Sequence, residues 1–262
     1  MRDLDIPNPF GGKVYYRKVV SSTMDVSREL ASRGAAHGTV IMADFQEAGR
    51  GRIRDRIWEM EKGVNLAFTV LLRYSCIEDI PAAITLRTGL AVSLAIEDYS
   101  PSLKGQIKVK WPNDLLINSK KISGILCEAE GGIVHIGIGI NTGQKEFPFH
   151  LQEKATSIAL EVSKEQSVGL KEKDFLLERV LVRLYDELFG QEKNNKNWKY
   201  RLEERLFKLG SSVIFIDGPA DSGKEVRGKL TGIGNNGELL IIPDGKEEML
   251  VFITGELVRS TL

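Results

Sequence analysis

Cysteine and histidine are scarce in this chain of 262 residues, with two of the former (Cys76, Cys127) and three of the latter (His37, His135, His150). The cysteines lie far apart, so neither a disulfide framework nor a thiolate zinc site is expected. Two reduced thiols in a cytoplasmic protein is the simple reading. The histidines have no metal-ligand spacing. An excess of charge is missing too: 36 Lys+Arg stand against 36 Asp+Glu, for a formal net charge of zero. That removes the whole-protein basic footprint of a nucleic-acid binder. No apolar run approaches the roughly 20 residues that span a bilayer, and the acidic, proline-punctuated start has no signal-peptide core. No membrane association is therefore expected. What is present is a globular composition, 42% hydrophobic and 27% charged, in a chain long enough to bury a core without staples.

The first part of the chain reads as mixed α and β. Strands are predicted over 13–20, 39–45, 64–73, 107–110, 114–118, 122–130 and 133–140, from β-branched runs and alternation. The last three are separated only by turns and should form an antiparallel meander. Helices are predicted over about 23–33, with Ser22 or Thr23 as N-cap and Gly34 as stop, and over 79–98, 174–190 and 195–208. From Ser211 the texture changes to short β segments (212–216, 224–233, 238–242, 247–253) split by Asp-Gly and Asn-Asn-Gly turns. This is the pattern of a small all-β unit. The expected division is 1–209 and 210–262.

Four segments could carry chemistry. Gly49-Arg50-Gly51-Arg52 opens a long Gly/Arg loop over 46–57. Glycines let backbone approach a ligand, and arginines present forked donors to phosphate or carboxylate. A solvated basic loop is the plain alternative. Lys110-Trp111-Pro112-Asn113-Asp114 places a proline between strands and a carboxamide and carboxylate at a turn, either as an Asx-turn beside a core Trp or as a corner that contacts metal or nucleotide. In Lys120-Lys121-Ile122-Ser123-Gly124, Lys120 reads as solvent-facing. Lys121 could enter a cleft and neutralise developing negative charge. Gly137-Ile138-Gly139-Ile140-Asn141 leaves one strand face bare and ends on an amide. No phosphate-loop pattern is present, and no aromatics interleave the Arg/Gly loop as base stacking would require.

Taken in order, Ser22-Thr23, Gln46 with Gly49-Arg50-Gly51-Arg52, Trp58, Lys110-Trp111-Pro112-Asn113-Asp114, Lys121-x-x-Gly124 and Gly137-x-Gly139-x-Asn141 resemble the biotin–protein ligase family. The match is dense over 14–142. It continues thinly to Gly255-Glu256 and Arg259. The resemblance implies an α+β fold: a mixed sheet with helices packed on one side, as in class II synthetases, plus a small C-terminal SH3-like barrel. It implies a two-step ligase that makes biotinyl-5′-AMP from biotin and ATP with Mg²⁺, then acylates one lysine of a biotin carboxyl carrier domain. It implies that Ser22, Thr23, Gln46, Gly49, Arg50, Gly51, Arg52, Lys121, Gly124 and Gly137 bind biotin. Arg50, Arg52, Trp58, Lys110, Asn113, Asp114, Lys121, Asn141 and Arg259 would bind ATP or the adenylate. Lys121 and Arg52 would be catalytic, and Asn113 and Asp114 would help hold the metal.

Three departures from the family pattern stand out. The Arg loop has one extra residue and no third glycine before Trp58. Met24 replaces the usual Asn after Ser-Thr. Gly255 and Arg259 stand one residue closer than is common. About 12 residues precede the first strand, too few for the winged helix-turn-helix of the family's repressors, so no operator binding is expected. A homodimer, a lipoate–protein ligase of the same chemistry, and a non-catalytic nucleotide- or RNA-binding module stay open. The neutral total hides a pattern: residues 49–57 carry a net +3, residues 104–124 a net +4, and the remainder −7. The loop over 49–57 is expected to be mobile without ligand and to order over the adenylate.

Overall fold

The computed structural model describes residues 1–53, 56–162, 173–190, 197–219 and 222–258. Eight strands form one sheet: β1 (Arg2–Leu4), β2 (Val14–Val20), β3 (Thr39–Gln46), β4 (Leu66–Arg73), β5 (Lys108–Lys110), β6 (Asp114–Ile117), β7 (Lys120–Glu130) and β8 (Ile133–Ile140). Their order is β1-β2-β3-β4-β8-β7-β6-β5. The helices are α1 (Thr23–Ser32), α2 (Ile84–Tyr99), α3 (Ile158–Glu161), α4 (Lys173–Phe189) and α5 (Trp198–Glu203). Strands β2 and β3 are parallel, and α1 supplies the crossover such a pair requires. The expected meander is β6-β7-β8, antiparallel throughout.

The sheet has two unlike faces because side chains alternate along each strand. Val40, Met42, Phe68, Val70, Ile136 and Ile138 join the main core under the two long helices, α2 and α4. Ile41 and Ala43 turn the other way, to a smaller cluster with Val20 and Val26 beneath α1. The long helices thus cover one face, and α1 lies on the opposite one. On that second face β8 presents His135, Gly137 and Gly139.

Helix α1 starts where the sequence predicts it. The Ser22 hydroxyl accepts from the Met24 amide at 3.3 Å, and Gly34 at φ +81° follows the helix. Helix α2 begins later than predicted. Pro81 forces Ile80 into an extended conformation, and Ala83 is left-handed at φ +55°. Within Ile77–Tyr99 an 18-residue stretch reaches a mean hydropathy of 1.3, apolar enough by length and composition to cross a bilayer. The apolar residues of α2, Leu86, Leu90, Val92 and Ile96 among them, instead pack in the main core. Strand β1 is absent from the sequence prediction, because three residues, two of them charged, carry no period.

A second, antiparallel sheet follows: β9 (Ser212–Asp217), β10 (Lys224–Ile233), β11 (Leu239–Pro243), β12 (Leu250–Phe252) and β13 (Glu256–Leu257), in the order β12-β11-β10-β9-β13. Trp111 bolts the two sheets together. Its ring lies 5.8 Å from that of Phe215, and its indole N–H donates to the Gly237 carbonyl at 2.9 Å. Of the two readings of that tryptophan, the structural one describes its contacts.

His135 is 5% exposed and shares a 2.8 Å hydrogen bond with Ser27. Burial, helped by the charges of Arg28 and Arg73, pushes its pKa from 6.5 down to about 4. The unfolded chain therefore takes up a proton that the fold refuses. The associated stability should be complete above pH 6.5 and lost as the pH falls towards about 4, a contribution on the order of 3 kcal/mol. Urea denaturation across this window should show that slope, and His135→Gln should flatten it. An unchanged slope in the variant would contradict the assignment.

Candidate active site

The site lies on the second face, where β7 and β8 lack side chains. A Cβ on Gly137 would stand 2.8 Å from the Met24 sulfur, and one on Gly139 would stand 2.5 Å from the Trp58 ring. One on Gly124 would meet Lys121 Nζ at 2.9 Å and Trp58 at 3.1 Å. The glycines are there because a thioether and an indole rest directly on the backbone. Met24, one of the departures from the family pattern, makes one of these contacts.

A bulge explains the Lys121-x-x-Gly124 spacing. In a regular strand, residues three apart point to opposite faces. Here Leu115 pairs with Ser123 but Leu116 pairs with Lys121, so Ile122 is an extra residue. The bulge carries Lys121 to the same face as Gly124, while Ile122 and Ile125 go to the core. Lys121 Nζ sits 2.5 Å from Asp114 Oδ1 and 5.5 Å from the centroid of the Trp58 ring. The Asn113 side chain donates to the Ile125 carbonyl at 2.9 Å, which ties the turn carrying Asp114 to β7. The Trp111–Pro112 peptide in that corner is cis.

The polar end of the slot is built on Gln46. Its Oε1 accepts from the Thr23 amide at 2.8 Å, from the Thr23 hydroxyl at 3.0 Å and from Ser22 at 3.5 Å. Ser22, Thr23, Gln46, Arg50, Gly51, Trp58, Lys121, Gly124 and Gly137 line one small cavity of about 50 Å³. That is room for about two waters, because the Trp58 ring fills the rest. The Trp58 indole N–H is buried with no partner among the described residues. Beyond Lys121 a wide groove of about 760 Å³ opens between Asp114, Asn141, Lys154 and Glu256. Asn141 faces it with an unusual deficit. Its amide donates to the Thr156 carbonyl at 2.9 Å, but its Oδ1 is buried without a donor.

The Gly/Arg loop, read from sequence as having no regular period, has two described arms that pair as in a hairpin. Arg50 and Ile57 form a bridge, and the Gly51 amide donates to the Arg56 carbonyl at 2.8 Å. The three described arginines of the loop are engaged. Arg50 meets Asp25, at the start of α1, at 2.6 Å. Arg52 donates to the Gly255 carbonyl at 2.7 Å. Arg56 grips Glu256 with two bonds of 3.0 and 2.7 Å, and Lys110, 3% exposed, lies 3.9 Å from the same carboxylate. Burial lowers the Arg52 pKa. Burial alone would raise Glu256, but Arg56 and Lys110 more than offset it and hold the carboxyl below its usual range. Most of the sequence-selected residues thus lie around these two cavities, which share Trp58 and Lys121. Arg52 and Lys110 line a third, of about 120 Å³, with Asn113, Asp114 and Glu256, and Gly49 lines none of the three. The structure also turns Arg50 and Arg52 towards protein acceptors that an anionic ligand would have to replace. Arg54 and Arg259 lie outside the described residues. Asp25 and Thr69, both in contact with the site, had not been singled out.

The family model for biotin/lipoate A/B protein ligases matches residues 16–144. The bifunctional ligase/repressor of Escherichia coli is 30% identical over 250 residues, covering 90% of this chain and 71% of that protein. The chain belongs to the biotin protein ligase family. A bifunctional ligase/repressor of Bacillus spizizenii is 39% identical over 157 residues, which are 57% of this chain and 47% of the relative. The chain thus spans about half the length of this curated relative. A solved biotin protein ligase from Aquifex aeolicus, in complex with biotin and ATP, superposes with a TM-score of 0.75 at 28% identity, covering 94% of this chain and 97% of that one. The fold is that of the family.

The loop contacts in this ligase fold give a direct test. Glu256→Ala removes both bonds to Arg56. Backbone amides over 50–57 should then exchange with solvent at least about tenfold faster, since loop opening is governed by such local contacts. Unchanged exchange would show that the hairpin holds itself.

Proposed function

We propose that the protein joins biotin to ATP as biotinyl-5′-AMP and transfers the biotinyl group to a lysine of a carrier domain. The observation that carries this reading is the position of Lys121. Its ammonium borders both the closed slot and the wide groove, the one point where a carboxylate held in the slot and a phosphate held in the groove would meet. In the first step a biotin carboxylate oxygen bonds to the α-phosphorus, and pyrophosphate leaves with the electron pair of the broken P–O bond. Two anions must approach, so a fixed cation between them lowers the barrier. In the second step the acceptor amine attacks the acyl carbon, AMP leaves, and the amine loses a proton.

The other residues follow from their surroundings. Ser22, Thr23, Gln46 and the backbone at Gly49–Gly51 meet the polar ureido ring, and Gly124 and Gly137 make room for the bicycle. Trp58 swings off the glycine face to flank adenine. The unpartnered Asn141 Oδ1 suits the adenine amino group, a donor. Arg50 and Arg52 exchange Asp25 and the Gly255 carbonyl for anionic oxygens. Among the described residues no cluster of three or more metal-ligating side chains occurs. Mg²⁺ would enter on the triphosphate, as it commonly does beside one or two carboxylates, with Asp114 and Asn113 as its neighbours. Bound there, the metal would neutralise phosphate charge. Residues 1–209 are read as the catalytic unit and 210–262 as the small unit that anchors its loop. The two free thiols, Cys76 and Cys127, favour a cytoplasmic setting.

Biotin-dependent ATP–pyrophosphate exchange tests the reading. Lys121→Ala should lower the exchange rate by about 10²–10³-fold, and lipoate should not substitute for biotin. Arg52→Gly should keep the exchange but release the adenylate, so that lysines of bystander proteins become labelled. Labelling confined to the carrier would count against that role. No exchange with biotin in the unaltered protein would remove the proposal.

A further inference from the structure

Strand β4 runs Leu66-Ala67-Phe68-Thr69-Val70-Leu71-Leu72, and Thr69 is its one hydroxyl. It is wholly buried, it sits opposite Gly137 of β8, and its hydroxyl contacts Thr23 Oγ1 at 2.9 Å. The direction of each bond in this chain can be deduced. The Thr23 backbone amide can only donate, and it points at Gln46 at 2.8 Å, so the atom there is the carboxamide oxygen and the Gln46 amide nitrogen faces the slot. The Thr23 hydroxyl, 3.0 Å from the same oxygen, must then give its proton to it. With that proton spent, Thr23 Oγ1 can only accept, and Thr69 is the donor that fills one of its lone pairs.

We infer that Thr69 is a positioning residue that sorts the polarity of the slot: by donating to Thr23 Oγ1 it holds that hydroxyl in the rotamer whose proton goes to Gln46 Oε1, so that Thr23 stays an acceptor beside the Gln46 Nε2 donor that the Thr23 amide orients. Gln46 Nε2 makes no hydrogen bond among the described residues. The two groups together present an acceptor beside a donor, which is the complement of the N–H and C=O of a cyclic urea. Rotation of Thr23 about its side-chain bond, or a flip of the Gln46 amide, would scramble that pattern. Thr69 opposes the rotation directly, from a fully buried position behind the slot, and the Thr23 amide opposes the flip. The inference rests on the biotin reading and adds to it why the ring carbonyl, rather than an isosteric imine, is selected.

The test is exchange kinetics on the whole protein, with wild type, Thr69→Val, Thr69→Ala and Thr69→Ser, and thermal melting of each. Loss of the hydroxyl in the Val and Ala variants should raise KM for biotin about five- to tenfold, the usual cost of one lost buried partner. Both kcat and KM for ATP should stay within about twofold, and Thr69→Ser should behave as wild type. The preference for biotin over 2-iminobiotin should narrow in Val and Ala but not in Ser. The inference is overturned if KM for biotin is unmoved in Val and Ala while exchange persists, if Ser is impaired as much as Val, or if kcat falls in step with biotin affinity. Absence of exchange in wild type defeats the biotin reading itself and this inference with it.

Discussion

Everything at this site depends on bare backbone. Along β8 one face carries Ile136, Ile138 and Ile140, sunk in the core beneath the long helices, and the other carries Gly137 and Gly139. A strand so heavily anchored on one side can dispense with side chains on the other. The stability lost to glycine in a strand is offset by the apolar burial opposite. What is gained is proximity: a helix start, an indole and a lysine all reach the same few ångströms of sheet. A methyl group at Gly139 would collide with the Trp58 ring, and the site would have to open to accept it.

The charges follow a similar logic of prior arrangement. The chain is neutral in sum, yet its cations near the site are not loose. Arg50 rests on Asp25, Arg56 on Glu256 and Lys121 on Asp114, while Arg52 rests on a carbonyl. Each pair fixes the direction of a cation, and an anionic ligand would have to replace its partner. Arg50 and Arg56 remain partly exposed, so exchange of one anionic partner for another is inexpensive there.

Much of this was legible in the residues, for identifiable reasons. Long apolar runs such as Leu66–Arg73 and Ile133–Ile140 announce strands, because alternation and β-branching survive any context. The ordered motifs bring Ser22, Gln46, Lys121 and Gly124 to one place, and the glycine pattern at 137 and 139 correctly marks a close approach. The misses are also physical. A bulge at Ile122 has no sequence period, so the face on which Lys121 points could not be counted out. The hairpin over Gly49–Trp58 is held by contacts with residues 255 and 256, invisible to local reading. Strand β13 has two residues and exists only by pairing with β9. Thr69 left one trace, a hydroxyl within an apolar strand, and that trace alone does not say what it touches.

The grip of Gly255 and Glu256 on Arg52 and Arg56 joins positions about 200 residues apart. A chain made from its N-terminus can complete the large sheet, seat α1 and lay Trp58 on the glycines long before those two residues exist. The order of manufacture is therefore also an order of competence. The glycine-lined slot is finished first, and the contacts that restrain the loop come after it. A nascent chain halted before residue 255 would hold a nearly complete pocket under an untethered hairpin.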